Sequence, residues 1–346
     1  MSAQIPQKFE SMPRRLRLGM VGGGAGLIGE VHANGARLSN RWELVAGALS
    51  SNAERAKAAG KAWFLAADRC YESYQEMARA EAQRADGIDA VAIVTPNHLH
   101  APVALEFMAR GIDVISDKPV TARLDELGPL VAAQEKSKVF FGITYAYASH
   151  PMLRQAREMV RAGELGDLRQ IHVEYFQDWA IDLTDQAEEI PWRLDPAQTG
   201  SSFTVADIGT HAEHLACFAS GLQIEALRAD FHVTGAAKSL EDTAFMQLRF
   251  EGGVPGTLMV SQAMAGSQCG LRLNDYALVL QAAMAGEGFA FGWRHVTRAL
   301  INADLLEAQS EWAWHTGMGF YLVWSNLRPL SEKAALTRDW LIEAAE

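Results

Sequence analysis

Residues 17–29 read RLGMVGGGAGLIG, and this stretch decides the fold. We predict a buried strand over Leu18 to Val21, then a tight turn at Gly22 and Gly24 whose amides approach a pyrophosphate. Gly29 lets the next helix pack on the sheet, and the positive end of that helix points at the phosphates. A glycine-rich turn can also be only a loop, so the interpretation depends on the rest of the chain. The predicted cofactor contacts here are Gly22, Gly24, Gly26 and Gly29.

Residues 16–145 alternate between predicted strands and helices, which indicates a parallel sheet covered on both faces. After the first unit, the sequence predicts strands over Glu43–Leu49, Asp89–Val94, Ile112–Ser116 and Val139–Ile143, and helices over Asn52–Gly60, Ala101–Arg110 and Leu124–Glu135. In this context the glycine turn opens a βαβ unit, as a dinucleotide site should. We therefore predict an α/β fold with a Rossmann-type doubly wound parallel sheet.

The residues after the second predicted strand bear on the choice of cofactor. A carboxylate at this point, about twenty residues past the glycines, would accept hydrogen bonds from the adenosine ribose. Here Ser50 and Ser51 follow the strand, with Arg55 and Lys57 close behind. Hydroxyls and cations without a carboxylate favour a 2′-phosphate, so we expect NADP or NAD, with NADP slightly favoured. Arg55 and Lys57 can also be only the solvated face of a helix.

Two polar clusters close neighbouring predicted strands. The first is TPNHLH at residues 95–100, and the second is SDKP at residues 116–119. Ligands of open α/β sheets bind at the carboxyl ends of the strands, so both clusters lie where nicotinamide and substrate would bind. Lys118, between a buried strand and a proline, is held at a sharp turn and not left in solvent. The predicted cofactor contacts are Thr95, Pro96, Asn97, His100, Asp117 and Lys118.

Residues 146–273 have a different pattern, which predicts an α+β domain with an open, mostly antiparallel sheet. The predicted helices cover Pro151–Gly163 and Val205–Ala219, and the predicted strands cover Leu168–Trp179, Glu225–Thr234, Thr243–Phe250 and Thr257–Ala263. Asp207 and His211 are four residues apart, so on a helix they share one face and can point into one pocket, although the pair can also be only a helix cap and a core histidine. Histidine titrates near neutrality and can take a hydroxyl proton, while a lysine ammonium stabilises alkoxide charge.

Composition excludes several classes of function. The chain has 346 residues and a formal net charge of -11, so we expect no nucleic-acid partner and no anionic membrane partner. Cys70, Cys217 and Cys269 are odd in number and widely spaced, which favours reduced thiols, a cytoplasmic location and no metal. Residues 1–15 are polar and lack an apolar core, so they predict a flexible arm instead of a signal peptide.

In combination, these motifs resemble the Gfo/Idh/MocA family of NAD(P)-dependent oxidoreductases, over roughly residues 16–273. The matching segments are the glycine turn, Thr95-Pro96-Asn97 with His100, Asp117-Lys118-Pro119, and Asp207-Ile208-Gly209-Thr210-His211. The resemblance implies a dehydrogenase or reductase that acts on CH–OH groups of sugars, inositols or related polyols. It implies Lys118 as the active-site lysine, with Asp207 and His211 beside the reacting hydroxyl or carbonyl.

The same resemblance implies two further properties. Residues 192–196, WRLDP, match a segment of one branch of the family, and we expect substrate contacts from Trp179, Trp192 and Arg193. In the family, one face of the second sheet commonly carries subunit contacts, so we expect a homo-oligomer. The chain departs from that branch at residues 144–147, TYAY, and at residues 201–203, SSF, where Phe203 is positioned to crowd the pocket.

Residues 274–346 depart further, because they resemble the end of a LysR-type effector-binding domain. This tail favours an alternative function, a dinucleotide-bound sensor or regulator or a catalytically impaired recombined remnant, whereas Lys118, Asp207 and His211 favour an enzyme. We predict that the tail docks as a βα unit, with a strand over residues 319–324 and a helix over residues 331–345. That strand would meet a sheet edge near Thr257 to Ala263, since exposed edges promote association.

Overall fold

The computed structural model describes residues 14–24, 26–186, 188–264, 268–272, 290–291, 301, 305–308 and 322–324. The predicted arm at residues 1–15 therefore lies outside the described residues except for its last two. The predicted helix over residues 331–345 lies outside them entirely.

The first sheet has five parallel strands in the order β2-β1-β3-β4-β5. These strands are β1 (Leu16–Gly22), β2 (Trp42–Ala48), β3 (Ala90–Val94), β4 (Asp113–Ser116) and β5 (Phe141–Ile143). The helices between and after them are α1 (Leu27–Ser39), α2 (Ala53–Ala62), α3 (Tyr74–Gln83), α4 (His100–Met108) and α5 (Leu127–Ser137). The predicted Rossmann-type sheet is confirmed.

Both faces of this sheet are buried, as a doubly wound sheet requires. Along β3, Ala90 and Ala92 face the core beneath α1, while Val91 and Ile93 face the core that includes Phe107 of α4. Alternate side chains of one strand thus enter opposite cores, which is why the strand is a continuous apolar run.

Helix α3 is the element of this domain that the periodicity did not predict. It is mostly polar and buries only Met77, Ala78 and Glu81, so its apolar stripe is weak. A local signal was present, because Ser73 accepts a hydrogen bond from the backbone of Glu76 at 3.2 Å and thus caps the helix. A serine followed three residues later by a glutamate is a helix-start pattern.

The second sheet also has five strands, in the order β10-β6-β9-β8-β7. These strands are β6 (Ile171–Phe176), β7 (Ile224–His232), β8 (Thr243–Phe250), β9 (Pro255–Ser261) and β10 (Gln268–Arg272). Among these described strands, β6 and β9 pair in parallel and the other neighbours pair antiparallel. This confirms the mostly antiparallel sheet. The helices of this domain are α6 (Pro151–Arg161), α7 (Pro196–Thr199) and α8 (Thr210–Ser220).

The predicted sheet edge near Thr257 to Ala263 is wrong. Strand β9 lies between β6 and β8, so it is an interior strand. The predicted strand in the tail is confirmed at Leu322–Trp324, but it pairs with Ala290–Phe291 and Glu307–Ala308 in a separate three-stranded sheet. Alternation along a strand shows which side chains are buried, but not which strands are neighbours. Within the described part of the chain, no helix is long and apolar enough to cross a membrane.

Candidate active site

The glycine turn lies tightly against the ends of two strands. Gly22 has a φ of +79°, and a Cβ built on it would lie 2.4 Å from the carbonyl oxygen of Val94. A Cβ on Gly29 would lie 2.1 Å from the carbonyl oxygen of Gly23. Side chains are therefore excluded at both positions, and the backbone of the turn comes close to α1 and to β3.

The same turn borders open space on its other side. A Cβ on Gly26 would meet nothing within 4 Å, and Gly26, which directly precedes α1, has no side chain to cap the first amides of that helix. A cavity of about 290 Å³ lies here, lined by Gly23, Gly24, Gly26, Leu27, Glu30, Ala59, Ala62 and Trp63. Uncapped amides at a helix start beside a cavity fit the pyrophosphate of a dinucleotide.

Ser50, Ser51 and Arg55 lie at the start of α2. The Ser50 hydroxyl accepts a hydrogen bond from the backbone of Asn52 at 3.1 Å, and Asn52 caps α2 by accepting from the backbone of Arg55 at 2.9 Å. Ser51 and Arg55 are both exposed at this end of the sheet. Glu54, in the first turn of α2, is an exposed carboxylate that the sequence analysis did not weigh.

The ring of His100 contacts both polar turns. Its Nδ1 lies 2.6 Å from the carbonyl oxygen of Pro119, and its Nε2 lies 3.0 Å from that of Thr95. Burial lowers the pKa of His100, although these carbonyl oxygens act in the opposite direction. The ring thus holds the turn at residues 95–97 against the turn at residues 117–119. In the first of these turns, the Thr95 hydroxyl is buried and has no hydrogen-bond partner among the described residues.

Asn97 and Asp117 have protein partners. The buried Asn97 amide donates to the carbonyl oxygen of Thr199 in α7 at 2.9 Å, which ties the Rossmann domain to the second domain. Asp117 Oδ1 lies 3.0 Å from His32 Nε2 and accepts a hydrogen bond from the Thr144 hydroxyl at 2.5 Å. Burial acts to raise the pKa of Asp117, but His32 and Thr144 more than offset it and the pKa is lowered.

Lys118 and Asp207 form an ion pair between the two domains. Lys118 Nζ lies 2.5 Å from Asp207 Oδ1 and also donates to the Asp207 carbonyl oxygen. Asp207 Oδ2 accepts from Gln262 Nε2 at 2.7 Å, and Arg193 Nε lies 3.9 Å away. Burial acts to raise the pKa of Asp207, but the charges of Lys118 and Arg193 outweigh it and the pKa falls below its usual value. Asp207 is therefore ionised at neutral pH.

Asp207 lies in a wide helical turn, a π-helix over Val205–Gly209, which continues directly into α8. Such turns are frequent at functional sites. His211 follows on α8, and burial together with the charge of Lys118 lowers its pKa to about 4. Its ring lies edge-on to Tyr145 and Tyr147, with centroids 5.8 and 4.8 Å away. His211 Nδ1 is buried without a partner among the described residues, so the neutral ring can act as a proton acceptor.

The three expected substrate residues also lie together. The guanidinium carbon of Arg193 lies 4.4 Å from the ring centroid of Trp192 and 5.8 Å from that of Trp179. Arg193 Nε is buried, makes no hydrogen bond within the described residues and lies 3.9 Å from Asp207 Oδ2. Phe203 is buried with Ala180 and Leu194 and lies edge-on to Trp179. Phe203 thus packs against one of the expected substrate residues.

Sequence reasoning missed Gln262, which directly follows β9 and is fully buried. Its Nε2 donates to Asp207 and also to Gln177 Oε1 at 3.0 Å, while its Oε1 accepts from the Thr204 hydroxyl at 2.9 Å. A polar amide at the end of an alternating apolar strand was the available signal. Among the described residues, no group of His, Cys, Asp or Glu side chains could hold a metal ion.

Two family models match this chain. Residues 16–145 match "Oxidoreductase family, NAD-binding Rossmann fold", and residues 153–279 match "GFO/IDH/MocA C-terminal domain". The chain belongs to the Gfo/Idh/MocA family and is an oxidoreductase with an NAD-binding Rossmann domain.

Curated relatives and solved structures agree with this assignment. An uncharacterized oxidoreductase of Bacillus subtilis, YfiI, is 35% identical over 267 residues, which cover 75% of this chain and 67% of YfiI. D-xylose 1-dehydrogenase (NADP(+)) 2 of Haloferax volcanii is 34% identical over 170 residues, and the match spans only 48% of its length. An inositol dehydrogenase homolog from Azotobacter vinelandii, crystallised with NAD+, matches at a TM-score of 0.71 with 32% identity, over 75% of this chain and 68% of that one.

Proposed function

We propose that this protein transfers a hydride between NAD(P) and the CH–OH or carbonyl carbon of a sugar, an inositol or a related polyol. The observation that carries the proposal is the group formed by Lys118, Asp207 and His211 at the carboxyl ends of the Rossmann strands. A cation, an ionised carboxylate and a neutral imidazole meet there. This combination suits alcohol oxidation, in which a proton and a hydride leave together.

Each of the three residues has a distinct role in the proposal. Bound nicotinamide supplies the hydride acceptor or donor. His211 takes the hydroxyl proton of the alcohol, because its lowered pKa keeps the imidazole neutral near pH 7. The Lys118 ammonium stabilises the negative charge that develops on the substrate oxygen. Asp207 holds Lys118 in place through their 2.5 Å contact and lies beside the reacting group.

For the cofactor, we propose that the glycine turn binds the pyrophosphate and that the two polar turns border the nicotinamide. Thr95 has the buried hydroxyl that still lacks a partner among the described residues, so it is the best placed donor there. Ser51 and Arg55, at the start of α2, would accommodate a 2′-phosphate, and we expect NADP to bind at least as well as NAD. Calorimetric titration of both cofactors tests this preference. NAD binding ten times tighter, a gap of about 1.4 kcal/mol, would contradict it.

For the substrate, the stacked pair of Trp192 and Arg193 beside Asp207 supports a polar ring with several hydroxyls. An aromatic face with an adjacent guanidinium offers both an apolar wall and hydrogen-bond donors. The Azotobacter vinelandii homolog was also crystallised with NADH and myo-inositol, which makes inositols the first substrates to test.

We also propose a homo-oligomer located in the cytoplasm. Strands β7 and β8 leave large apolar side chains exposed: Leu227 at 62%, Phe231 at 58% and Phe245 at 43%. The register of β7 with β8 places Leu227 and Phe231 on one face and Phe245 on the other, so a second copy packed on either face would bury the apolar side chains of that face. Light scattering at several concentrations measures the assembly, and a monomer throughout would contradict the expectation.

The regulatory alternative depends on the LysR-like tail, most of which lies outside the described residues. That resemblance stays a prediction. The described ion pair of Lys118 with Asp207 favours the enzyme, since a sensor needs no acid–base group beside a hydride acceptor.

One assay tests the proposed function. The protein is incubated with NAD+ or NADP+ and a panel of sugars, inositols and polyols, and absorbance at ~340 nm reports the reduced cofactor. We expect reduction with at least one member of the panel, at a rate that falls by roughly two to four orders of magnitude in the Lys118→Ala variant. Binding of the reduced cofactor without reduction by any member would favour the sensor.

A further inference from the structure

The start of the helix that carries Asp207 and His211 is bonded to a residue from a distant part of the chain. Glu241 lies just before β8 and is nearly buried. Its Oε1 accepts from the Val205 amide at 3.0 Å and from the Ser202 hydroxyl at 2.5 Å, and its Oε2 accepts from the Phe203 amide at 3.2 Å.

Together, Glu241 and Ser202 satisfy the first amides of this helix. The Thr204 amide donates to the Glu241 carbonyl oxygen at 3.4 Å, and the Ala206 amide donates to the Ser202 hydroxyl at 3.2 Å. All four amides from Phe203 to Ala206 therefore have acceptors. A carboxylate also stabilises the positive end of the helix dipole.

Glu241 is itself held firmly by its neighbour. The carboxylate of Asp242 accepts from Lys238 Nζ at 2.8 Å, and the side chains of both residues are fully buried. Asp242 also accepts from the Thr234 amide at 2.8 Å and from the Gly235 amide at 2.9 Å. The loop between β7 and β8 thus forms a rigid base from which Glu241 reaches the helix.

The bonded amides lie directly beside the site. The Asp207 amide donates to the Phe203 carbonyl oxygen at 3.0 Å, so Asp207 belongs to the turn that Glu241 holds. Without Glu241 that turn would fray, because its first amides would lose their acceptors. A shift of about 1 Å in a reacting group can cost roughly a hundredfold in rate.

We propose that Glu241 is a positioning residue: by bonding the amides at the start of the π-helix that leads into α8, it fixes Asp207 against Lys118 and His211 inside the site. Its consequence for turnover rests on the proposed function, but its consequence for the geometry of the site does not.

The test follows the imidazole of His211 by NMR in protein labelled at histidine, with His211→Asn to assign the signal. In the parent protein, we expect a midpoint of about 4, set by burial and by Lys118, Asp207, His214 and Asp117. In Glu241→Gln, a frayed turn admits water and moves the ring from Lys118, so the midpoint rises by about one pH unit or more. Loss of the carboxylate charge alone would lower it, and therefore the direction separates positioning from direct electrostatics.

Glu251→Gln is the matched control. Glu251 follows the other end of β8 and accepts from the Gln223 amide at 3.0 Å, so the variant neutralises a similar amide-bonded carboxylate far from the helix start. We expect it to leave the His211 midpoint unchanged. An unchanged or lowered midpoint in Glu241→Gln would overturn the proposal. If Glu241→Gln does not fold, Ser202→Ala is titrated instead. We expect a smaller rise of the His211 midpoint in that variant, and no rise would contradict the proposal.

A second experiment compares the steady-state kinetics of the parent protein and Glu241→Gln, with the polyol of the panel that reduces NAD+ fastest. We expect Glu241→Gln to lower kcat roughly tenfold and to leave the KM for NAD+ within about twofold. An effect on thermal stability alone, with kcat unchanged, would show a merely structural role. If no polyol is oxidised by the parent protein, the proposed function fails, while the NMR titration still decides the role of Glu241.

Discussion

The cofactor half and the catalytic half of the site differ in how their residues are brought together. Around the glycine turn, the contacts join the ends of strands that are neighbours in one sheet, such as Gly22 of β1 with Val94 of β3. In the catalytic half, Lys118 and Asp207 are 89 residues apart, and Asp207 and Gln262 are 55 apart. The first half forms within one domain, whereas the second exists only when the two domains are docked. Catalysis can therefore be removed while cofactor binding is retained.

The largest expected effect comes from the residues placed at the reacting group. Lys118→Ala or His211→Ala should lower turnover by roughly two to four orders of magnitude, the range for a positioned proton-transfer group. The affinity for NADH, measured by fluorescence titration, should change little because the glycine turn lies in the other half. If both variants turn over within a few-fold of the parent protein, the assigned roles are wrong.

A smaller loss is expected from the residue that supports Asp207. Gln262→Leu keeps the volume but removes the donor to Asp207, and it leaves Gln177 and Thr204 without this partner. We expect turnover to fall about tenfold to a hundredfold and the free energy of unfolding to fall by about 1–3 kcal/mol.

Gln134→Leu is the matched control for that variant. Gln134 donates to the Val139 carbonyl oxygen at 3.0 Å within the Rossmann domain. Its loss should leave turnover unchanged. Equal losses in the two variants would mean that the effect is general destabilisation and not support of Asp207.

The cofactor half is tested by two glycines of one turn. Gly22→Ala places a Cβ 2.4 Å from a carbonyl oxygen at a positive φ, so the turn must shift. We expect NADH affinity to fall about tenfold and the free energy of unfolding to fall by about 1–3 kcal/mol. Gly26→Ala meets open space, and its unfolding free energy should stay within about 0.5 kcal/mol of the parent value. Equal stability of the two variants would contradict the tight contact at Gly22.

The last expected effect concerns stability alone and is the pH dependence that His211 contributes. Its pKa is about 4 in the folded protein, against an ordinary value of about 6.5, so between these values the unfolded chain binds more protons. The contribution is fully present above pH 6.5 and is lost as pH falls toward 4. Urea unfolding from pH 7 to 4.5 should therefore show a smaller loss of stability in His211→Asn than in the parent protein. Parallel curves would show that His211 is not held neutral.

The same difference between the halves explains what the sequence could predict. The glycine turn and the two polar turns follow strand ends, so local pattern was enough to place them. The hydrogen bonding of Asp207 and the capping of its helix depend on Gln262 and Glu241. These two residues lie near the site because of the order of the strands in the second sheet. That order was not readable from alternation, as the interior position of β9 shows. His32 was missed for a related reason, because its contact with Asp117 joins α1 to a turn 85 residues away.

Transfer of isotope from substrate to cofactor tests the central claim most directly. The parent protein is supplied with NAD+ and a carbon-deuterated form of the polyol that it oxidises fastest, and the reduced cofactor is examined by mass spectrometry. We predict that the reduced cofactor carries one deuterium taken from the CH–OH carbon and that Lys118→Ala forms it roughly two to four orders of magnitude more slowly. Reduced cofactor without deuterium would contradict hydride transfer from the alcohol carbon, as would the absence of reduction with every member of the panel.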